Sequence, residues 1–124
     1  MWKSILLIGL GGGMGSIFRF LVSHFTRKYW SSGFPMATFL VNVSGCLLIG
    51  LIIGLLLKSN TSNDLKMLLV VGFCGGYTTF SAFALENFQL IQAEKYMMSI
   101  LYILGSVVMG IISVWLGIFF SKLI

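Results

Sequence analysis

Residues 74–86 decide how this chain folds, and they read Cys74-Gly-Gly-Tyr-Thr-Thr-Phe-Ser-Ala-Phe-Ala-Leu-Glu86. They belong to a segment without charge from Met67 to Leu85, which is long enough to cross the ~30 Å hydrocarbon core of a bilayer as a helix. Two glycines and three aliphatic hydroxyls fall near the middle of that segment. A helix can break at this depth only where the freed backbone groups are buried in protein or line a cavity. The stretch therefore predicts a broken transmembrane helix, and the break is a candidate functional site.

Three further apolar segments surround this one. Uncharged runs extend over 29 residues from Tyr29 to Leu57 and over 26 residues from Tyr96 to Ser121. The first segment starts like a signal peptide, but it continues past Arg19 without a small-residue cleavage site, so we interpret it as a retained helix. The predicted helices are Ser4 to Phe25, Phe34 to Leu57, Leu65 to Ile91 and Met97 to Ser121. The chain is thus expected to be an all-α integral membrane protein, with one four-helix transmembrane domain over residues 1–124.

Composition excludes several other classes. With 58% hydrophobic and 9% charged residues, the chain lacks the polar surface that a soluble domain of this size needs. No nucleophile–base pair or metal-ligand cluster is visible, since His24 is isolated and Cys46 and Cys74 lack metal-site spacing, so we expect no enzyme. The basic residues are scattered at helix ends, which argues against nucleic acid and favours contact with lipid headgroups.

Charge placement predicts how the chain enters the membrane. Polar residues 58–64 predict one loop, and residues 92–95 predict a tight turn. Lys3, Lys58, Lys66 and Lys122 then fall on one side of the four spans, and Arg19, Arg27, Lys28 and Lys95 fall toward the other. Because an excess of Lys and Arg sets orientation, this balance predicts insertion both ways up, which permits an antiparallel dimer.

Several side chains within the spans have two interpretations. Asn42, one helical turn after Thr38, either makes an interhelical hydrogen bond or donates to an ion in a pore. Arg19 and Glu86 either pair or act separately, with Arg19 concentrating anions at a vestibule and Glu86 ordering the end of its helix. Phe80 and Phe83 share a helical face and suit a packed core as well as a pore.

Glycine and other small residues favour close helix packing. The run from Gly9 to Gly15 lacks the strand and the Lys-Ser/Thr of a phosphate loop, so nucleotide binding is not expected. Small residues four apart lie in the second and fourth spans, where they suit close approach of helices: Gly50 with Gly54, Ser106 with Gly110, and Ser113 with Gly117.

At these residues the chain closely resembles the Fluc fluoride channels, also called CrcB proteins. The match is carried by the four-helix length and by Gly11-Gly-Gly-Met-Gly-Ser-Ile-Phe-Arg19, Thr38-Phe-Leu-Val-Asn-Val-Ser-Gly45 and Gly75-Gly-Tyr-Thr-Thr-Phe-Ser-Ala-Phe83. The resemblance implies an antiparallel dual-topology dimer in the plasma membrane, with two fluoride pores and a central structural sodium ion (Na⁺). It implies that fluoride is exported from the cytoplasm.

The resemblance also assigns roles to single residues. Asn42 would be the polar pore donor, and Phe80 and Phe83 the aromatic pair that contacts the ion. Carbonyls of Gly75 and Thr78 would bind sodium. The remaining pore candidates are polar side chains around these residues: Thr38, Thr79, Ser81, Tyr102 and Ser106.

Two positions depart from the family pattern. Ala82 stands where the family usually has Thr. In the fourth span the family commonly has two pore hydroxyls one turn apart; Tyr102 and Ser106 have that spacing here, but Gly110 and then Val114 follow instead of another hydroxyl. Loss of these hydroxyls is compatible with one degraded pore, or with a heterodimer formed with a homologous subunit. The partner is therefore expected to be either a second copy of this chain or such a homologue.

A small multidrug-type proton-coupled exporter is the alternative function. That class also consists of short four-helix chains that insert both ways up. Its chemistry requires a carboxylate in the first span, where this chain has Arg19 and no acid.

Overall fold

The third membrane span is broken into two helical segments, and the other three spans are continuous helices. The structure, a computed structural model, describes residues 1–59 and 62–124. Within these residues all regular structure is helical, and four spans are long and apolar enough to cross a membrane. The helices are α1, Trp2–Tyr29; α2, Met36–Lys58; α3, residues 63–77; α4, Phe80–Gln92; and α5, Tyr96–Leu123. The third span consists of α3 and α4, and the middle of α3, Lys66–Cys74, is π-helical.

The predicted boundaries hold to within a few residues. The largest difference is at the end of α1, which continues four residues beyond Phe25 to Tyr29. In the predicted polar loop, Asn60 and Thr61 lie outside the described residues, while Asn63 and Asp64 already belong to α3. Residues 93–95 form the predicted tight turn before α5.

Glycine-lined contacts hold the spans together in two pairs. The backbone of α1 packs against that of α3, and a Cβ placed on Gly15 would lie 2.2 Å from the Phe73 carbonyl oxygen. Similarly, α2 packs against α5, where a Cβ on Gly117 would lie 2.3 Å from the Leu47 carbonyl oxygen. Small residues permit such approach between membrane helices. Gly11 and Gly15 of the glycine run therefore serve helix packing, as expected, whereas Gly9 and Gly13 face open space.

We predict that Gly15→Ala destabilises the protein by about 1–3 kcal/mol, the usual cost of overpacking a close contact. The added methyl would meet backbone atoms of Phe73 and Tyr77, which cannot rotate away as a side chain can. Gly13→Ala is the matched control, because a Cβ at Gly13 has no neighbour within 4 Å. Thermal unfolding in detergent measures both variants. Equal melting temperatures would show that α1 and α3 can separate without cost.

Candidate functional site

The break lies at Thr78 and Thr79, whose backbones are extended (φ −78°, ψ 159° and φ −148°, ψ 120°). Thr79 acts as the N-cap of α4, since its hydroxyl accepts a hydrogen bond from the Ala82 N–H at 3.3 Å. Threonine is favoured at N-caps because its side chain can replace a lost backbone acceptor. The predicted break is thus confirmed, and local capping chemistry explains its position.

Asn42 joins the break to α2. Its Nδ2 donates to the Thr79 carbonyl oxygen at 3.0 Å, and its Oδ1 accepts from the Thr79 N–H at 2.8 Å. A single amide thus satisfies both backbone groups of Thr79, and an unpaired buried group would cost about 1–3 kcal/mol. Of the two interpretations of Asn42, the structure therefore contains the interhelical bond. One hydrogen of the Nδ2 group has no acceptor among the described residues.

An open groove of about 470 Å³ runs along the break, and we call it the ring groove. Five of the predicted pore residues and both sodium candidates, Gly75 and Thr78, line it. The pore residues are Asn42, Thr79, Phe80, Phe83 and Ser106. The Phe80 and Phe83 ring centroids are 5.8 Å apart, and Phe80 is 79% exposed in the single subunit. The Ser106 Oγ is buried and has no hydrogen-bond partner within the described part of the chain. The ring groove thus combines two aromatic rings with unused neutral donors.

Thr38 and Tyr102 meet at Glu86 instead of in the ring groove. The Thr38 hydroxyl donates to one Glu86 carboxylate oxygen at 2.6 Å, and the Tyr102 hydroxyl donates to the other at 2.8 Å. Tyr102 is fully buried, and its ring packs edge-on against Phe83 with centroids 5.0 Å apart. Sequence reasoning did not foresee this cluster. The sequence did contain one indication of it: a carboxylate inside a membrane span, such as Glu86, needs hydrogen-bond donors, and these two hydroxyls supply them.

Arg19 contacts the break from the opposite side. Its Nη1 donates to the Thr78 carbonyl oxygen at 3.2 Å, and it lines a second cavity of about 470 Å³ together with Ser81. Among residues 1–59 and 62–124 the structure shows no Arg19–Glu86 ion pair; Lys3 and Asp64 form the pair that is present. Of the two interpretations of these charges, direct pairing is therefore wrong.

Two carbonyls at the break differ in how far they suit a cation. The Gly75 carbonyl has lost its helical partner, because the Thr79 N–H is bonded to Asn42, and no other described group donates to it. The Thr78 carbonyl already accepts a hydrogen bond from Arg19. A cation bound to this second oxygen would lie beside a guanidinium of the same sign. The Gly75 carbonyl oxygen is therefore suited to bind a sodium ion, whereas the Thr78 carbonyl oxygen would have to bind sodium and Arg19 together.

Comparison with known proteins shows the family of this chain. Residues 6–118 match the sequence profile of the family described as CrcB-like protein, Camphor Resistance (CrcB). The chain belongs to the CrcB family. A relative in Flavobacterium psychrophilum, named fluoride-specific ion channel FluC, is 49% identical over 97% of this chain and 98% of its own length. Relatives of the same name in Azobacteroides pseudotrichonymphae and Phocaeicola vulgatus are 48% and 45% identical, over 94% and 97% of this chain and 94% and 99% of their own lengths.

The structure shows what surrounds the two positions that depart from the usual CrcB pattern. Gly110 is buried, and a Cβ there would lie 3.4 Å from the Cys46 Sγ, so this position faces α2. The Cys46 sulfur thus lies beside the position of the missing side chain. At Ala82 the backbone N–H is capped by Thr79, and the break forms without a hydroxyl on residue 82.

Proposed function

We propose that this chain is a subunit of a fluoride-selective channel in the plasma membrane, which lets fluoride leave the cytoplasm. The observation that carries the proposal is the ring groove, where aromatic edges and neutral donors lie beside a broken span. The FluC names of full-length relatives support the same ion. The multidrug-type alternative lacks support, because α1 has no carboxylate to exchange a proton for substrate.

The chemistry of the ring groove suits a small anion that holds water tightly. Neutral donors can replace that water without trapping the ion as a fixed positive charge would. Asn42 has one free N–H, and the Ser106 hydroxyl is unpartnered among the described residues. The edge of a phenyl ring is partly positive, so Phe80 and Phe83 can contact an anion edge-on while excluding water.

A second copy of the chain in the opposite orientation is the proposed cover of the ring groove. An ion path must be shielded from lipid, whereas the Phe80 ring is largely exposed in the single subunit. The balanced placement of Lys and Arg supports insertion in both orientations. Since a two-fold axis repeats every site, such a dimer has two ring grooves and hence two pores.

We also propose a structural sodium ion on that axis, held by the Gly75 and Thr78 carbonyls of both subunits. Oxygen ligands suit a hard cation, and the free Gly75 carbonyl supports this assignment. Because Arg19 donates to the Thr78 carbonyl oxygen, we expect Arg19 and sodium to compete for this oxygen. Removal of sodium should therefore weaken the dimer more in Arg19→Gln than in the parent, where Arg19 can still bind the Thr78 carbonyl oxygen, as measured by gel filtration in sodium and in N-methylglucamine buffers.

Liposomes that contain only this chain test the function directly. We expect fluoride to leave fluoride-loaded vesicles rapidly, while chloride-loaded vesicles show no efflux above protein-free controls. A fluoride electrode and a chloride electrode measure the two rates. Equal fluoride and chloride rates would contradict the proposal. If fluoride efflux appears only after a homologous subunit is added, the working channel is a heterodimer.

We predict that the chain inserts in both orientations in similar amounts. Cysteine introduced at the exposed C-terminal Ile124, in a chain without Cys46 and Cys74, should react with a membrane-impermeant maleimide on both faces of the membrane. Labelling of intact cells, of inverted vesicles and of detergent-solubilised protein gives the fraction on each face. Labelling from a single face would remove the basis for an antiparallel homodimer.

A further inference from the structure

A separate cavity of about 300 Å³ opens where α1 ends and α2 begins, and we call it the mouth cavity. The end of α4 and the turn before α5 complete its wall. Five charged or aromatic side chains line it: Arg27, Trp30, Phe34, Glu86 and Lys95. Because α1 ends at Tyr29 and α5 begins at Tyr96, the cavity lies at the membrane–water boundary.

The two cations of the mouth cavity are unpaired, whereas its carboxylate is not. Neither Arg27 nor Lys95 makes a side-chain hydrogen bond or an ion pair with any residue that the structure describes. Both oxygens of Glu86 accept hydrogen bonds, from Thr38 and Tyr102. The Lys95 Nζ lies 3.3 Å from where a Cβ on Gly33 would be, so the glycine leaves room for the ammonium. Two formal positive charges against one negative charge leave the cavity electropositive.

Backbone dipoles add to this charge. The first residues of α2 line the mouth cavity, and the N-cap of this helix, Pro35, makes no side-chain capping bond. Lys95, which also lines the cavity, is the N-cap of α5 and likewise makes none. The first N–H groups of a helix lack internal partners and carry a partial positive charge. Two long helices therefore begin at a cavity that already holds two free cations.

A chain of side-chain contacts also connects the mouth cavity to the ring groove. Glu86 lines the mouth cavity and bonds to Tyr102, and the Tyr102 ring packs against Phe83 of the ring groove. An anion that enters the mouth cavity is therefore two side chains away from the proposed pore. These contacts bring the mouth cavity close to the ring groove at the water-facing ends of α2 and α5.

We propose that the mouth cavity is the electrostatic entrance for fluoride, and that Arg27 and Lys95 set the rate of entry by raising the local anion concentration. The proposal rests on the proposed function. Clefts lined with one sign of charge raise on-rates by about 10- to 1,000-fold, and the effect falls steeply with ionic strength. Screening shortens the reach of a charge from ~30 Å at 0.01 M salt to ~3 Å at 1 M.

The test compares Arg27→Gln, Lys95→Gln and the double variant with the parent in liposomes of uncharged lipid. Initial fluoride efflux is measured at low fluoride concentration, in about 0.01 M and about 1 M potassium isethionate, a span over which screening changes most. Each single variant should be about three- to tenfold slower than the parent in low salt and equal to it in high salt. Lys95→Arg should keep the parent rate. Lys58→Gln and Lys122→Gln, at the opposite ends of the spans, are the matched controls and should behave like the parent.

Each other outcome overturns the inference. Variants that keep the parent rate in low salt would show that the cations do not attract the permeating ion. Variants that are equally slow at both salt concentrations would indicate a structural role. If the variants differ from the parent only in vesicles with anionic lipid, Arg27 and Lys95 bind headgroup phosphates. A parent chain that passes no fluoride would instead defeat the proposed function itself.

Discussion

Asn42→Asp is expected to lower fluoride efflux at least a hundredfold. The substitution keeps the shape of the side chain but replaces the Nδ2 donor with an acceptor, which would then face the Thr79 carbonyl oxygen. Loss of that bond leaves a partly buried acceptor unpaired, at a cost of up to about 3 kcal/mol, and the new negative charge repels the permeating ion. Both effects act at the break and at the ring groove. Efflux from liposomes is the measurement, and gel filtration in detergent shows whether the dimer still assembles.

Asn87→Asp separates the role of Asn42 in permeation from its role in folding. Asn87 is buried, its Nδ2 donates to the Phe83 carbonyl oxygen at 2.9 Å, and its Oδ1 accepts from the Ser99 hydroxyl. The same substitution there removes a donor from a backbone carbonyl without touching the break. We expect Asn87→Asp to lose thermal stability but to retain most of its efflux per folded dimer. Equal loss of efflux in both variants would assign Asn42 a purely structural role.

Phe80→Ile and Phe83→Ile are expected to slow fluoride efflux at least tenfold each. Isoleucine keeps apolar bulk but has no ring quadrupole, so the partly positive edge that contacts the anion is lost. Phe80 should show the cleaner effect, because its ring is 79% exposed and contributes little to packing within the subunit. Phe83 also packs against Tyr102, so its replacement should lower stability as well as efflux.

Phe88→Ile is the matched control for the phenylalanine variants. Phe88 lies on the same helix, α4, is 56% exposed, and does not line the ring groove. Its replacement should leave efflux unchanged. Parent rates in Phe80→Ile and Phe83→Ile, with dimers intact, would place both rings in the packed interface instead of the ion path.

The sequence by itself determined the membrane class, the four spans and the broken third span. Spans follow from uncharged length, because the thickness of the bilayer sets how many apolar residues a helix needs. The break follows from local chemistry, since glycines and threonines at midplane depth offer caps that a regular helix does not use. The motifs also predicted the family, and they predicted that the pore candidates lie around Phe80 and Phe83.

Only the tertiary structure decided which partner each polar side chain takes. Asn42 had two interpretations in the sequence, and the fold brings it to Thr79, 37 residues away. Glu86 could have paired with Arg19, but the fold surrounds it with Thr38 and Tyr102 and turns Arg19 toward Thr78. Such partners depend on the rotation and depth of each helix, and these are set where glycines let two backbones touch. Hydrophobic periodicity is weak in helices that are apolar all round, so their rotation could not be predicted from the sequence.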